Sequence, residues 1–286
     1  MNTLKQYLTK AKTEHWAVGH FNFSTAEQLK AIVEAASDLK APVMVATSEG
    51  EAEFIGYEQA VALVKSYQTE GQAVWLNADH HHSFDSCKRA IDAGYDTVLV
   101  DASKLSFEEN IRTTSDVVRY AKSIKPDLTI EGELGYLRGA SEVQEKMEIS
   151  LGDYTKPEEA ADFVLRTGVD RLAVVFGNIH GIVTEQKEAL DLEHLGGIIE
   201  AVPDTNLVLH GASGLSDADV AAAIAAGICN VHINTELRLA FHDSLEATLH
   251  NDPTQTTPYK FLAPSLEAMK ELIKAKIVLF GSAGRL

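Results

Sequence analysis

Cysteine is nearly absent from this 286-residue chain, which has only Cys87 and Cys229. They form no CxxC pair, which excludes a redox dithiol and a cysteine-built zinc cluster. Each falls inside a predicted structural element, where a reduced thiol is a small buried hydrophobe. Positive charge is also short. The 25 Lys and Arg face 42 Asp and Glu, a net charge of −17, which argues against nonspecific nucleic-acid binding. An anionic substrate stays open, because backbone N–H groups, helix N-termini and a metal ion can build a local phosphate pocket. No apolar run approaches the roughly 20 residues of a membrane span. The opening MNTLKQYLTKAK lacks the apolar core of a signal peptide, so a cytoplasmic protein without membrane partners is expected. No Gly/Ser/Pro-rich linker divides the chain, so residues 1–286 are expected to form one domain.

What is present is alternation. Short apolar, β-rich runs at Ala17–Phe23, Val43–Thr47, Ala73–Ala78, Thr97–Asp101, Leu128–Gly132, Arg171–Phe176, Asn206–His210 and Cys229–Ile233 predict strands. Most are apolar on both faces, as in parallel strands covered on both sides. Amphipathic helices are expected between them, at Ala26–Leu39, Gly56–Tyr67, Ser83–Ala93, Phe107–Ser123, Pro157–Thr167, Asp191–Ala201, Asp217–Ala226 and Thr235–Leu249, with Pro264–Lys276 closing the chain. Eight successive βα units predict an α/β fold of the (β/α)8 TIM-barrel type. An open doubly wound sheet is the alternative, but no GxGxxG follows the first strand. Only the stretch Leu134–Tyr154 is long without clear structure, and it reads as a mobile flap over the site.

Catalytic groups in such barrels gather at the C-terminal strand ends. There the sequence places Asp79-His80-His81-His82, Asp101, Glu131-Gly132-Glu133, Gly177-Asn178-Ile179-His180-Gly181, His210-Gly211-Ala212-Ser213-Gly214 and His232-Ile233-Asn234-Thr235. Three imidazoles from different strand ends, with a position open to substrate, make a catalytic zinc arrangement. A carboxylate beside a ligand, such as Asp79 next to His80, can serve as general acid/base, or as a helix cap or partner for a histidine. Asp101 and Glu133 can bind a further metal position or orient the histidines. The small residues Gly211–Gly214 and the helix start at Asn234-Thr235 suit backbone binding of a phosphate, in the loops after strands seven and eight. No lysine sits in or directly ends a strand, which weighs against a Schiff-base aldolase.

In order and spacing these segments resemble the class II fructose-bisphosphate and tagatose-bisphosphate aldolase family. The resemblance runs from Ala17 to Lys276-Ile277-Val278-Leu279-Phe280-Gly281-Ser282-Ala283-Gly284. It is carried by Asn77-Ala78-Asp79-His80, by Asp101-Ala102-Ser103 with Phe107-Glu108-Glu109-Asn110-Ile111, by Glu131-Gly132-Glu133-Leu134-Gly135, and by the two His-Gly segments. It implies zinc held by His80, His180 and His210, with Asp79 as acid/base and further metal positions at Asp101 and Glu133. It implies a dihydroxyacetone phosphate site at Gly181, Gly211, Ala212, Ser213, His232, Ile233, Asn234 and Thr235. A second divalent metal, and a Na+ or K+ ion on carbonyls around Gly181 and Gly211, follow from some members.

The activity implied is reversible cleavage of a ketose bisphosphate, fructose 1,6-bisphosphate first, to dihydroxyacetone phosphate and an aldehyde. A tagatose-type or other phosphorylated-ketose aldolase, a silent partner subunit and a zinc hydrolase are the alternatives. A homodimer or homotetramer is expected. Enediolate protonation is assigned to the flap, with Glu142 and Glu145 as candidates. The chain departs from the family pattern in having His81 for glycine, Ala102 and Ala212 for glycines, and His232 for asparagine. Thr257-Pro258-Tyr259-Lys260 stands where Asp-Pro-Arg commonly binds the distal phosphate, leaving Lys260 or Arg238 as substitutes.

Overall fold

The computed structural model describes residues 2–186 and 188–286; Met1 and Lys187 lie outside the described residues. Eight parallel strands close into a barrel: β1 (Val18–Asn22), β2 (Val43–Ser48), β3 (Val74–His81), β4 (Thr97–Val100), β5 (Thr129–Leu134), β7 (Arg171–Val174), β9 (Asn206–Leu209) and β10 (Ile228–Ile233). Their order around the barrel is the order along the chain, and β1 closes on β10 with His20 opposite His232. Two further strands, β6 (Gly139–Gln144) and β8 (His180–Val183), pair in parallel outside the barrel.

Helices cover the outside: α1 (Leu4–Glu14), α2 (Ala26–Asp38), α3 (Glu49–Ile55), α4 (Tyr57–Thr69), α5 (Phe84–Ala93), α6 (Phe107–Ile124), α7 (Pro157–Thr167), α8 (Leu192–Ala201), α9 (Asp217–Ala226), α10 (Thr235–Asn251), α11 (Pro258–Phe261) and α12 (Ala263–Leu279). Local chemistry starts and stops them. Thr25, Ser48, Ser83 and Ser106 accept backbone N–H bonds as N-caps, and Gly94 and Gly168 end α5 and α7 in the left-handed conformation. On α6, Ile111, Thr114, Val117 and Ala121 recur at helical spacing and are buried.

The main core lies between strands and helices. Gly132 shows how tightly that layer packs, since a Cβ there would stand 2.6 Å from the Phe163 ring of α7. With Gly132 facing outward, the alternation of a strand turns Glu131 and Glu133 into the barrel. Each fully buried large side chain such as Phe163 contributes about 1.5–3 kcal/mol. A second cluster plugs the N-terminal end of the barrel, where Leu4, Tyr7, Leu8 and Ala11 of α1 pack with Trp16, Met44 and Cys229. Both cysteines are free and buried, and burial pushes the Cys229 thiol up to about 12.

The eight barrel strands fall where the apolar runs predict them. The structure adds elements that the apolar runs do not announce, β8 and α11 among them. The stretch expected as an unstructured flap carries β6 and a 3-10 turn at Leu151–Asp153. Its alternation is hidden because the strand is solvent-facing and polar. The helix expected from Gly56 is preceded by α3, started by a Ser48/Glu51 capping box and separated from α4 by Gly56 at φ 93°. The polar N-terminal segment forms α1, capped by Thr3 and Gln6.

Candidate active site

At the C-terminal mouth of the barrel, β3 breaks its pairing with β4. Four residues on β3, Ala78 to His81, lie against three on β4, Val98 to Val100, and His80 adopts φ 47°. That bulge lets the neighbours Asp79 and His80 both line the cleft, which a regular strand forbids. His180, opening β8, lies with its ring 5.0 Å from that of His80, and the His210 ring, just past β9, lies 4.8 Å from it.

The nitrogens are arranged in a particular way. His80 Nδ1 donates to Asp101 Oδ2 at 2.9 Å, and His210 Nε2 donates to Glu131 Oε1 at 2.8 Å. The remaining nitrogens, His80 Nε2 and His210 Nδ1, then face each other at 3.1 Å. In neutral rings both would carry lone pairs, so a positive centre is needed between or beside them. Without metal that centre is a proton. Burial opposes it, but Asp79, Asp101 and Glu133 push His80 up to about 10. A divalent cation satisfies the same lone pairs, and an imidazole whose far N–H binds a carboxylate is a typical metal ligand. Burial, then His80 and His210, lowers His180 to about 3, so it stays neutral as a ligand must. His80, Glu133 and His210 bring ligand atoms within 4.8 Å of one another, and with the His180 ring beside His80 these residues suit a divalent cation such as zinc.

Asp79 is buried but lines the cleft. Its Oδ2 accepts from Asn22 Nδ2 at 2.9 Å, and His232 Nδ1 stands 3.4 Å from Oδ1. Burial works against its ionisation, yet His80 and His232 hold it well below the usual carboxylate range. Glu133 behaves oppositely: burial and the neighbouring Asp101 raise it to about 7, and its Oε2 has no hydrogen-bond partner among the described residues. That oxygen lies 3.5 Å from His80 Nδ1. His20, Asp79 and His232 also cluster closely enough to suggest a cation. The His20 and His232 rings, however, stack at 3.4 Å with 2° between planes, so their in-plane lone pairs run parallel and cannot converge on one ion.

Beside the histidines the cleft is lined by Gly181, Gly211, Ser213, His232, Asn234 and Thr235. Ala212 and Ile233 turn their side chains into the hydrophobic core instead and are not among the residues lining the cleft. Gly211 has φ 69°, and a Cβ there would stand 1.9 Å from the Ile179 carbonyl. The first turn of α9 is occupied by the Ser216 cap and by Asp217 and Asp219, whereas Asn234 makes no side-chain cap on α10. The α10 N-terminus is the less occupied of the two, with one acidic residue, Glu236, in its first turn and the Glu236 N–H 3.5 Å from Ser213 Oγ.

Glu142 and Glu145 are exposed and line no part of the cleft; the flap residue that does is Ser141, 3.2 Å from the Thr235 hydroxyl. Arg238 Nη2 donates to Ser141 at 3.1 Å, while Lys260 is exposed on α11. His81 turns away, edge-on to Tyr57, and His82 stands 3.5 Å from Asp101 and 3.7 Å from Glu49. Motif reading left out Asn22, Glu131 and Ser141 as site members. Glu131 was legible, because it shares the inward face with Glu133 at a spacing of two.

Imidazoles and carboxylates converging at the C-terminal mouth of a parallel barrel mark the place where enzymes of this architecture carry their active sites. The profile described as "Fructose-bisphosphate aldolase class-II" matches residues 2–285. A fructose-bisphosphate aldolase of Staphylococcus aureus strain Mu50 is 36% identical over 290 residues, covering 99% of this chain and 98% of that protein. The crystal structure of the YdjI aldolase from Escherichia coli K12 superposes with a TM-score of 0.83 at 32% identity, covering 100% of this chain and 99% of that one. The fold is shared also with a fructose-bisphosphate aldolase from Campylobacter jejuni, at a TM-score of 0.80 and 22% identity, covering 99% and 95% of the two chains. The chain belongs to the class II fructose-bisphosphate aldolase family and is a lyase. No helix among the described residues is long and apolar enough to cross a membrane.

Proposed function

We propose that the chain is a zinc-dependent aldolase that reversibly cleaves a ketose bisphosphate, fructose 1,6-bisphosphate first, into dihydroxyacetone phosphate and glyceraldehyde 3-phosphate. The observation that carries this is the pair of facing nitrogens on His80 and His210, each backed by a carboxylate, with His180 beside them. These three histidines are the ligands in this reading. Zinc, when bound, supplies a Lewis acid that polarises the ketose carbonyl.

The protein's own groups do the rest. Asp79, ionised and anchored by Asn22, takes the C4 hydroxyl proton as the C3–C4 bond breaks and returns it in synthesis, while C3 takes up its proton from solvent. Asp101 orients His80, and Glu133 keeps an oxygen open to a second divalent cation. The phosphate of the dihydroxyacetone half sits against the backbone at Gly181, Gly211–Ser213 and Asn234–Thr235, supported by the α10 N-terminus, where Asn234 makes no side-chain cap, and by the Ser213 hydroxyl, which also receives the Glu236 N–H at 3.5 Å. Carbonyls of the same glycine turns are suited to a Na+ or K+ ion beside that phosphate.

A second reading has one observation in its favour. The stretch Thr257–Phe261 carries no arginine and Lys260 is exposed, so a ketose without a distal phosphate is the competing substrate. The deciding experiment follows triose phosphate release from fructose 1,6-bisphosphate and tagatose 1,6-bisphosphate, with and without EDTA. Cleavage that EDTA abolishes and zinc restores supports the reading, and the faster sugar assigns the stereochemistry. Zinc-loaded protein that cleaves only monophosphate ketoses favours the second reading. Protein that takes up no zinc ends both.

A further inference from the structure

Arg171 opens β7, yet its side chain is fully buried inside the barrel. Nη1 donates to Asn230 Oδ1 of β10 at 2.9 Å, and Nη2 donates to Asn77 Oδ1 of β3 at 3.3 Å and to the Thr97 hydroxyl of β4. Met44 of β2 lies 3.7 Å from Nη1 through its sulfur. The guanidinium is thus fixed from four strands besides its own. Nη1 also stands 2.7 Å from Glu131 Oε2 on β5. Its protons are aligned on other acceptors, so that contact is an ion pair without a hydrogen bond, and Oε2 has no hydrogen-bond partner among the described residues.

Glu131 in turn has a single aligned donor, His210 Nε2 on Oε1. That bond decides which nitrogen of His210 carries the proton and leaves Nδ1 to face His80. A buried carboxylate stays ionised only when it is paired or well hydrogen-bonded, and Arg171 is the cation in contact with this one. Nothing in the proposed reaction calls on Arg171 directly, since it lies below the cleft and does not line it.

We propose that Arg171 is a positioning residue for the metal. It holds Glu131 in place, and Glu131 sets the tautomer and ring orientation in which His210 can bind zinc. This rests on the reading of His210 as a ligand.

The test is a double-mutant cycle on the full chain, read by zinc affinity against a competing chelator and by the visible spectrum of the cobalt-substituted protein. Arg171→Met should lower zinc affinity ~10- to 100-fold, the usual effect of losing a group that supports a ligand, and should alter the cobalt spectrum. In the Glu131→Gln background the same substitution should have little further effect, because the path from Arg171 to the metal is already cut. A role confined to barrel stability would lower the melting temperature in both backgrounds without this non-additivity. If Arg171→Met does not fold, the cycle is run with Arg171→Lys, which keeps a cation but not the planar fork. A smaller loss with the same non-additivity is then expected. Folded Arg171 variants with wild-type affinity and spectrum overturn the proposal, as does an equal loss in both backgrounds. Wild-type protein that takes up neither zinc nor cobalt removes the metal reading itself, and shows this before any variant is made.

Discussion

On the proposed roles, replacing Asp79 with asparagine should separate proton transfer from metal binding. Asn22 Nδ2 donates to Asp79 Oδ2 at 2.9 Å and to Glu51 Oε2 at 3.0 Å, so its orientation is fixed from two sides. An amide at position 79 must offer its oxygen to Asn22, which turns its NH2 group toward His232 and the cleft. Shape and anchoring survive, while an anionic acceptor becomes a neutral donor with no useful basicity. The loss expected is that of a positioned general acid/base, ~10²- to 10⁴-fold in kcat/KM, or about 2.7–5.4 kcal/mol of barrier. Zinc content should stay at the wild-type level, because Asp79 makes no hydrogen bond to His80, His180 or His210. The assay is triose phosphate release from fructose 1,6-bisphosphate by zinc-loaded Asp79→Asn, with metal content measured on the same sample. Activity within tenfold of wild type at equal zinc content would refute the assignment of Asp79.

Asp101→Asn removes the carboxylate that accepts from His80 Nδ1, and should weaken zinc binding ~10- to 100-fold in a chelator competition. Gly211→Ala forces a side chain into φ 69° and sets its Cβ 1.9 Å from the Ile179 carbonyl. It should cost ~1–3 kcal/mol in urea unfolding, and a variant as stable as wild type would contradict the turn geometry. Asp153 is lowered to about 2 by its hydrogen bond from Arg138, against burial and with help from Ser150. A carboxyl depressed in the fold stabilises above its ordinary value of 3.8 and loses that contribution as pH falls toward about 2. Amide exchange in β6 should therefore quicken over that window beyond its intrinsic rate, and Asp153→Asn should abolish the step.

The barrel strands were legible because burial on both faces writes them as apolar runs between helix caps. Strand β6 was not, because it is exposed and polar and owes its conformation to pairing with β8. The histidines and Asp79 stood out through their positions at strand ends. The groups behind them did not, since hydrogen bonds such as His210 to Glu131 join residues 79 apart in sequence, and only closure of the barrel brings them together. Arg171 nevertheless left a trace, a lone charge opening an otherwise apolar strand. The side chains of Ala212 and Ile233 show the converse limit: a family-like segment does not reveal which of its members turn away from the cleft.

The kink at the end of β3 has a bearing on how such a barrel can diversify. Asp79 and His80 are joined by one peptide bond, so their Cα atoms stay about 3.8 Å apart whatever happens around them. Drift in helix packing, rim length or the β6 segment can reshape the space offered to a sugar. It leaves Asp79 and His80, the proposed acid/base and metal ligand, side by side. On those proposed roles, the space for the sugar can change shape while the acid/base and the metal ligand stay linked through a single covalent hinge.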